Sequence, residues 1–329
     1  MMHVMTLIRV GTISILVRDS IVTNISYFFP LQDDETLPYN DSTTKSLAAM
    51  RGACALTAIA EYRKKVCSGQ LPVERIVKKN IPLCSAAFKY MFHTCRIPKM
   101  NQDGYKLYDP SLHRHCVVAC GGQFFAMDFV DDEDDPLPIG MLEEGLQQCV
   151  DLAKEKPLMQ LGIFTTGDRD EWAKNRELLI KVGGEDMENA LAKLESGAAL
   201  ICLDETNPAT LQDCIPTYWY GGTGSSMNRW FDKSIQILCQ SNGKVAYMGE
   251  HSMVDGTPAA GVCDHINQLK YKQLSERPSE NMGVPVIQDI FEKVMESVME
   301  SDEIKSSILK GEVVDAQKTI LLVWHLAHC

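Results

Sequence analysis

The run from Arg229 to Pro258 constrains the fold more than any other part of the chain. Two β-rich segments joined by Ser241-Asn242-Gly243 predict a hairpin, because Asn-Gly supplies the positive φ angles of a tight two-residue turn. The second segment, Val245 to Gly249, delivers Glu250 and His251 at its end, and Asp255-Gly256 follow. A His-x-x-x-Asp-Gly string therefore sits where a strand leaves a sheet, a place that suits a general base.

The flanking sequence alternates between strand and helix, which makes the class α/β. Ile25 to Pro30 is a short strand, Asp33 to Thr43 an acidic loop, and Thr44 to Val66 a long amphipathic helix carried by Leu47, Met50, Leu56, Ile59 and Tyr62. A shorter helix is expected over Ser85 to His93, ended by Cys95-Arg96-Ile97-Pro98. His113 to Cys120 and Gln123 to Val130 form a second hairpin about Gly121-Gly122. Ile139 to Lys154 is helical, Leu161 to Phe164 a compact buried strand, and Ala198 to Leu203 another strand. Between those strands lie two helices, Trp172 to Val182 and Glu185 to Glu195. Beyond the central run, Ala259 to Tyr271 is helical and Pro278 to Pro285 a linker. Val286 to Leu309 is amphipathic, with Ile287, Ile290, Phe291, Val294 and Val298 at helical spacing. That apolar face and the apolar tail Ile320 to Cys329 are expected to need a missing domain or a protein partner.

Acidic residues exceed basic ones by 44 to 32 and no basic stripe offsets them, which argues against nucleic acid as a partner. No segment reaches the roughly 20 apolar residues of a transmembrane helix. None of the 12 cysteines falls in a Cys-x-x-Cys pair, and several sit in apolar runs, so an intracellular, reducing compartment is expected. Met1 to Asn24 resembles a mitochondrial transit peptide about as well as a strand, so mitochondrion, peroxisome and cytoplasm stay open. His113 and His115 alternate about Arg114 and share one side of a strand, but a third metal ligand is not visible and no metal is expected. The glycine-rich run 221–226 lacks the Gly-Lys-Ser/Thr of a phosphate loop and reads as a flexible loop beside substrate.

A histidine at a strand end can take a proton from a hydroxyl or thiol near neutral pH. Asp255 either orients the imidazole directly or pairs with a cation and fixes the turn, and a purely structural histidine is the plainer alternative. No Gly-x-Ser-x-Gly elbow exists to supply a serine nucleophile.

The ordered string Arg229-Trp230-x-Asp232-Lys233, Asn242-Gly243, Glu250-His251 and Asp255-Gly256 resembles the signature of the carnitine/choline acyltransferase family. Cys95-Arg96-Ile97-Pro98, Gln123-Phe124-Phe125, Trp172-Ala173 and Cys202-Leu203-Asp204 look like further family landmarks in the right order. The wording Gly-Glu-His-Ser-Met-x-Asp-Gly-Thr-Pro is most similar to that of carnitine O-acetyltransferases. The resemblance implies a chloramphenicol-acetyltransferase-like mixed sheet covered by helices, the N-terminal domain of a two-domain fold. It divides the chain into a divergent segment 1–24, a catalytic-histidine domain 25–318 and an atypical tail 319–329. It also implies direct acyl transfer between acyl-CoA and carnitine, with His251 as base, CoA as co-substrate and no bound cofactor. Glu250 and Asp255 take supporting, structural places, Asp255 by pairing across the domain interface, and Tyr27 lines the substrate tunnel.

Members of the family are about twice as long, and their CoA site, oxyanion donors and carnitine-carboxylate site lie in a half not found here. No cofactor-binding residue is therefore identifiable, and the chain alone is expected to have the base but little or no activity. The alternatives are a non-catalytic binding or regulatory module of the same fold and a choline or longer-chain acyltransferase.

Overall fold

The computed structural model describes residues 26–39, 46–76, 78–220, 228–278 and 284–310. Segment 1–24, the glycine-rich run 221–226, residues 279–283 of the linker and the tail 320–329 lie outside them.

The strands in chain order are β1 (Ser26–Pro30), β2 (Arg75–Ile76), β3 (Ile81–Pro82), β4 (Thr94–Ile97), β5 (Gly104–Leu107), β6 (His115–Cys120), β7 (Gln123–Asp128), β8 (Leu200–Asp204), β9 (Ile235–Gln240), β10 (Val245–Glu250) and β11 (Ile287–Asp289). The helices are α1 (Leu47–Cys67), α2 (Ile139–Lys154), α3 (Arg169–Ser196), α4 (Leu211–Tyr220), α5 (Gly256–Gln268), α6 (Tyr271–Ser275) and α7 (Met295–Glu300). Seven strands form one sheet in the order β1-β10-β9-β8-β6-β7-β11. It is mixed: β8 runs parallel to β6 and β9, and the other neighbours are antiparallel.

Because successive strand side chains point to opposite faces, a sheet covered on both sides needs apolar residues at consecutive positions. Ile201, Leu203, Ile237, Cys239 and Tyr247 accordingly face one core layer, shared with α1, α2 and α5. Leu200, Cys202, Leu238, Ala246 and Met248 face the other, which holds Trp172, Trp230 and Phe291.

The expected amphipathic helix is α1, capped by Ser46, whose hydroxyl accepts from the Ala49 N–H at 3.0 Å. It has no solvent face over residues 48–60, all of which are buried. Alanine, glycine and cysteine positions let α2 and the sheet close on it from different sides; a Cβ on Gly52 lies 2.9 Å from Leu146 Cδ1 of α2.

The Gly121-Gly122 turn has positive φ at both residues, +56° and +76°, as a two-residue hairpin requires. The central hairpin differs. Val245 pairs with Cys239, and only Gly243 is left-handed, at φ +80°. The turn therefore spans 241–243, and Asn242 serves through its side chain, donating to the Pro208 carbonyl and accepting from the Lys244 N–H.

Three other expectations are corrected. Leu161–Thr166 is a buried 3-10 helix, not a strand, because a short continuous apolar run fits either. Only Ala86–Tyr90 of the expected second helix is helical, as a 3-10 turn, and the Cys95-Arg96-Ile97 stretch forms β4, paired with β5. Segment 286–309 is broken into β11, a 3-10 turn, α7 and a helix over 302–310. Ile290, Phe291, Val294 and Val298 are buried in the second core layer, so the chain itself covers this apolar face. The two helices expected on either side of residue 184 are separated by Gly184, whose φ of 58° breaks α3.

His115 opens β6 and His113 lies before it, their ring centroids 6.0 Å apart and edge-on. Among the described residues no three His, Cys, Asp or Glu side chains converge to hold a metal ion. His115, together with His93, serves the end of α3 instead. His115 Nε2 bonds to the Lys193 carbonyl at 2.9 Å, and His93 Nδ1 bonds to that of Ser196 at 2.9 Å. Arg63 Nε donates to His93 Nε2 at 2.6 Å, which fixes a neutral tautomer. Burial, reinforced by Arg63 and Lys193 respectively, pulls His93 down to about 2 and His115 to about 3.

A histidine depressed on folding stabilises fully above the unfolded value of about 6.5, and that contribution is lost as pH falls below it. The stability gap between wild type and His115→Gln is expected to be about 2 kcal/mol smaller near pH 5 than near pH 7.5, measured by urea unfolding. A gap independent of pH contradicts a neutral, buried imidazole.

Candidate active site

The site is built where β10 ends beside the edge strand β1. Tyr27 of β1 pairs with Gly249 of β10, and its ring lies over that glycine. A Cβ at residue 249 falls 2.7 Å from Tyr27 Cζ and 2.8 Å from its hydroxyl oxygen, so glycine is what lets the ring lie there. The Tyr27 hydroxyl donates to the Val254 carbonyl at 3.1 Å, tying β1 to the turn after β10. Burial pushes its pKa well up, so it remains a donor. The ring meets the His251 imidazole edge-on, with centroids 4.9 Å apart. His251 is half-buried, and no hydrogen bond joins its ring to another described residue.

Asp255 stands at the N-terminus of α5, and its carboxylate accepts from the Gly256 N–H at 2.6 Å. A carboxylate here also faces the positive end of the helix dipole. Among the described residues it bonds neither the imidazole nor a cation. Tyr27, His251 and Asp255 are thus brought to one end of β10, with contact between the first two.

Glu250 points into the protein. Its side chain is fully buried and accepts from Arg96 Nη1 at 3.2 Å. Arg96 Nε donates to Asp103 Oδ2 at 2.6 Å, and Arg169 Nε reaches the same oxygen at 2.6 Å. Arg169 Nη2 lies 2.9 Å from Asp232 Oδ1, and the Trp172 indole donates to Asp232 Oδ2 at 2.7 Å. Five buried charges thus connect the turn to β4, α3 and the start of the hairpin.

The other charges before the hairpin are fastened too. Arg229 forks onto Asp204 at 3.0 and 2.7 Å, and Gln240 donates to the same carboxylate at 2.8 Å. Lys233 Nζ donates to the Glu195 and Gly197 carbonyls at 2.9 and 2.6 Å, at the end of α3. Burial pulls this ammonium down to about 8.

The sequence marks Arg96, Trp172, Asp204, Asp232 and Ser252 as landmarks without a role and gives no sign of Asp103 or Arg169. A usable signal was there: Arg96 stands between Cys95 and Ile97, and Asp204 closes the run Leu200–Leu203. A charge inside an apolar strand needs a buried partner. Two surface pockets, one beside Lys174 and Lys310, the other beside Phe88 and Leu107, do not include His251.

Residues 15–317 match the family model described as choline/carnitine O-acyltransferase. The chain is 29% identical over 266 residues to the mitochondrial carnitine O-acetyltransferase of Saccharomyces cerevisiae, covering 77% of this chain and 38% of that protein. Identity to the mitochondrial carnitine O-palmitoyltransferase 2 of Xenopus tropicalis is 30% over 208 residues, covering 62% and 30%. To the choline O-acetyltransferase of Drosophila melanogaster it is 28% over 262 residues, covering 70% and 35%. The chain spans well under half the length of these relatives.

A methyl group at residue 249 has to displace the Tyr27 ring. Gly249→Ala is expected to cost about 1–3 kcal/mol of stability, as overpacking does, measured by urea unfolding. A variant as stable as the wild type contradicts this packing.

Proposed function

The chain belongs to the choline/carnitine O-acyltransferase family, and we propose that it carries the catalytic-histidine half of an enzyme moving acetyl groups reversibly between CoA and carnitine. The observation that carries this reading is His251 itself: a half-buried imidazole at the end of β10, its ring free of hydrogen bonds from the described residues and set against Tyr27. The mixed sheet is taken as the N-terminal domain of a chloramphenicol-acetyltransferase-like pair.

In the proposed reaction the neutral imidazole takes the carnitine hydroxyl proton as that oxygen attacks the thioester carbonyl carbon. The tetrahedral intermediate then breaks its carbon–sulfur bond, and the thiolate collects the proton from the imidazolium. Acetylcarnitine and free CoA leave, the reverse direction uses the same proton, and no acyl-enzyme forms. CoA is a co-substrate, and no other cofactor is needed. Tyr27 lines the path to the imidazole, while Glu250 and Asp255 hold the turn and the helix that frame it.

Relatives named for carnitine acetyl, carnitine palmitoyl and choline acetyl transfer match this chain at 29%, 30% and 28% identity. The test therefore offers choline beside carnitine and palmitoyl-CoA beside acetyl-CoA.

Release of free CoA is followed for the chain alone and for the chain joined to the C-terminal half of the Saccharomyces cerevisiae relative. The joined form is expected to prefer carnitine and acetyl-CoA, and His251→Ala to lower its rate by about 10²–10⁴-fold, the usual worth of a general base. Turnover that survives His251→Ala overturns the mechanism, and a preference for choline or palmitoyl-CoA overturns the substrate assignment.

A further inference from the structure

Glu250 is the last residue of β10, and Ser252 follows His251 in the turn. The Glu250 carboxylate spans the histidine: Oε1 accepts from the Ser252 N–H at 3.2 Å and Oε2 from the Ser252 hydroxyl at 2.5 Å. The main chain closes the same ring, with Glu250 N–H donating to the Ser234 carbonyl at 3.2 Å and Val254 N–H to the Glu250 carbonyl at 3.3 Å. His251 is thereby held between two immobilised neighbours while its own ring is left unbonded among the described residues.

The carboxylate is fixed in turn by Arg96 Nη1 at 3.2 Å. Arg96 is itself fixed at two further points, its Nε on Asp103 at 2.6 Å and its backbone N–H on the Asp232 carbonyl at 2.8 Å. Each charged member is buried, so no solvent competes for these bonds and each bond has one geometry.

We propose that Glu250, Ser252 and Arg96 form a positioning clamp for His251, in which the carboxylate staples the turn and Arg96 anchors that carboxylate to the core. The proposal rests on His251 being the base. None of the three contacts substrate in it; they act through the imidazole, whose angle and distance to a hydroxyl set how well it takes a proton. Misplacing a reacting group by about 1 Å costs as much as ~100-fold.

Ser252→Ala is the informative variant, because it removes one hydrogen bond and leaves Glu250 paired with Arg96 and with the residue 252 N–H. The full chain, labelled with ¹⁵N, reports the ring resonances and titration midpoint of His251 by NMR. The expected result is a displaced midpoint or doubled ring signals for His251 alone, with the other histidines unmoved. In the joined form used for turnover, kcat is expected to fall ~10- to 100-fold at unchanged KM. The same substitution made on His251→Ala is expected to cause no further loss. His251 signals unchanged by Ser252→Ala, or a kcat loss that persists without the histidine, overturns the clamp. Shifted His251 signals in a protein whose turnover ignores His251 uphold the clamp and overturn the proposed reaction, so the two failures are distinguishable.

Discussion

Arg96, Asp103, Arg169, Asp232 and Glu250 meet in one buried cluster although they come from β4, the loop before β5, the start of α3, the approach to the central hairpin and the end of β10. Taking ions out of water costs several kcal/mol each, and only close, mutual pairing offsets it. Three carboxylates share two guanidinium groups here, and the imbalance is visible at Asp232. Burial pushes its carboxyl up to about 6, against the pull of Arg169 and with Asp103 adding to the rise. Its contact with Arg169 Nη2 is an ion contact without aligned hydrogen-bond geometry, and the Trp172 indole supplies the directional bond. Removing either arginine leaves buried carboxylates without their counter-charge. The cluster joins strand, helix and hairpin through contacts between elements far apart in the sequence.

The same logic runs through the hairpin. Arg229 is consumed by Asp204, Lys233 by the carbonyls that end α3, and Glu250 by Arg96 and Ser252. These three charged residues of the run are spent on fastening, and His251 is left with a ring contact to Tyr27. The proposed role as a base gains from that arrangement: the neighbours are fixed while the ring makes no hydrogen bond to a described residue.

Much of this was legible in the sequence. The β10 strand end with His251, the glycine pair at 121–122 and helix α2 follow from local rules, because turns and amphipathic helices are written in nearby residues. The misreadings share a cause in tertiary context. The run Leu161–Phe164 is apolar under either conformation, and α1 lacks a polar face because it is enclosed on every side. The apolar stripe 290–298 looked unpartnered because the surface of α3 and β7 that covers it lies far away in the sequence. At the proposed site, the strand that ends at Glu250 and delivers His251 was legible. The pairing of Arg96 with Glu250 was not, since they are 154 positions apart and nothing local pairs them.

The dependence of the turn on this buried cluster is open to direct measurement through native-state hydrogen exchange at the Ser252 amide, which donates to Glu250 Oε1. Exposed turns exchange through local opening at little free-energy cost, whereas core strands open only with the whole fold. A turn held by the cluster predicts that the Ser252 amide exchanges as slowly as the amides within β10 and gains urea sensitivity with them. Exchange on the time scale of a free loop, while β10 stays protected, contradicts it.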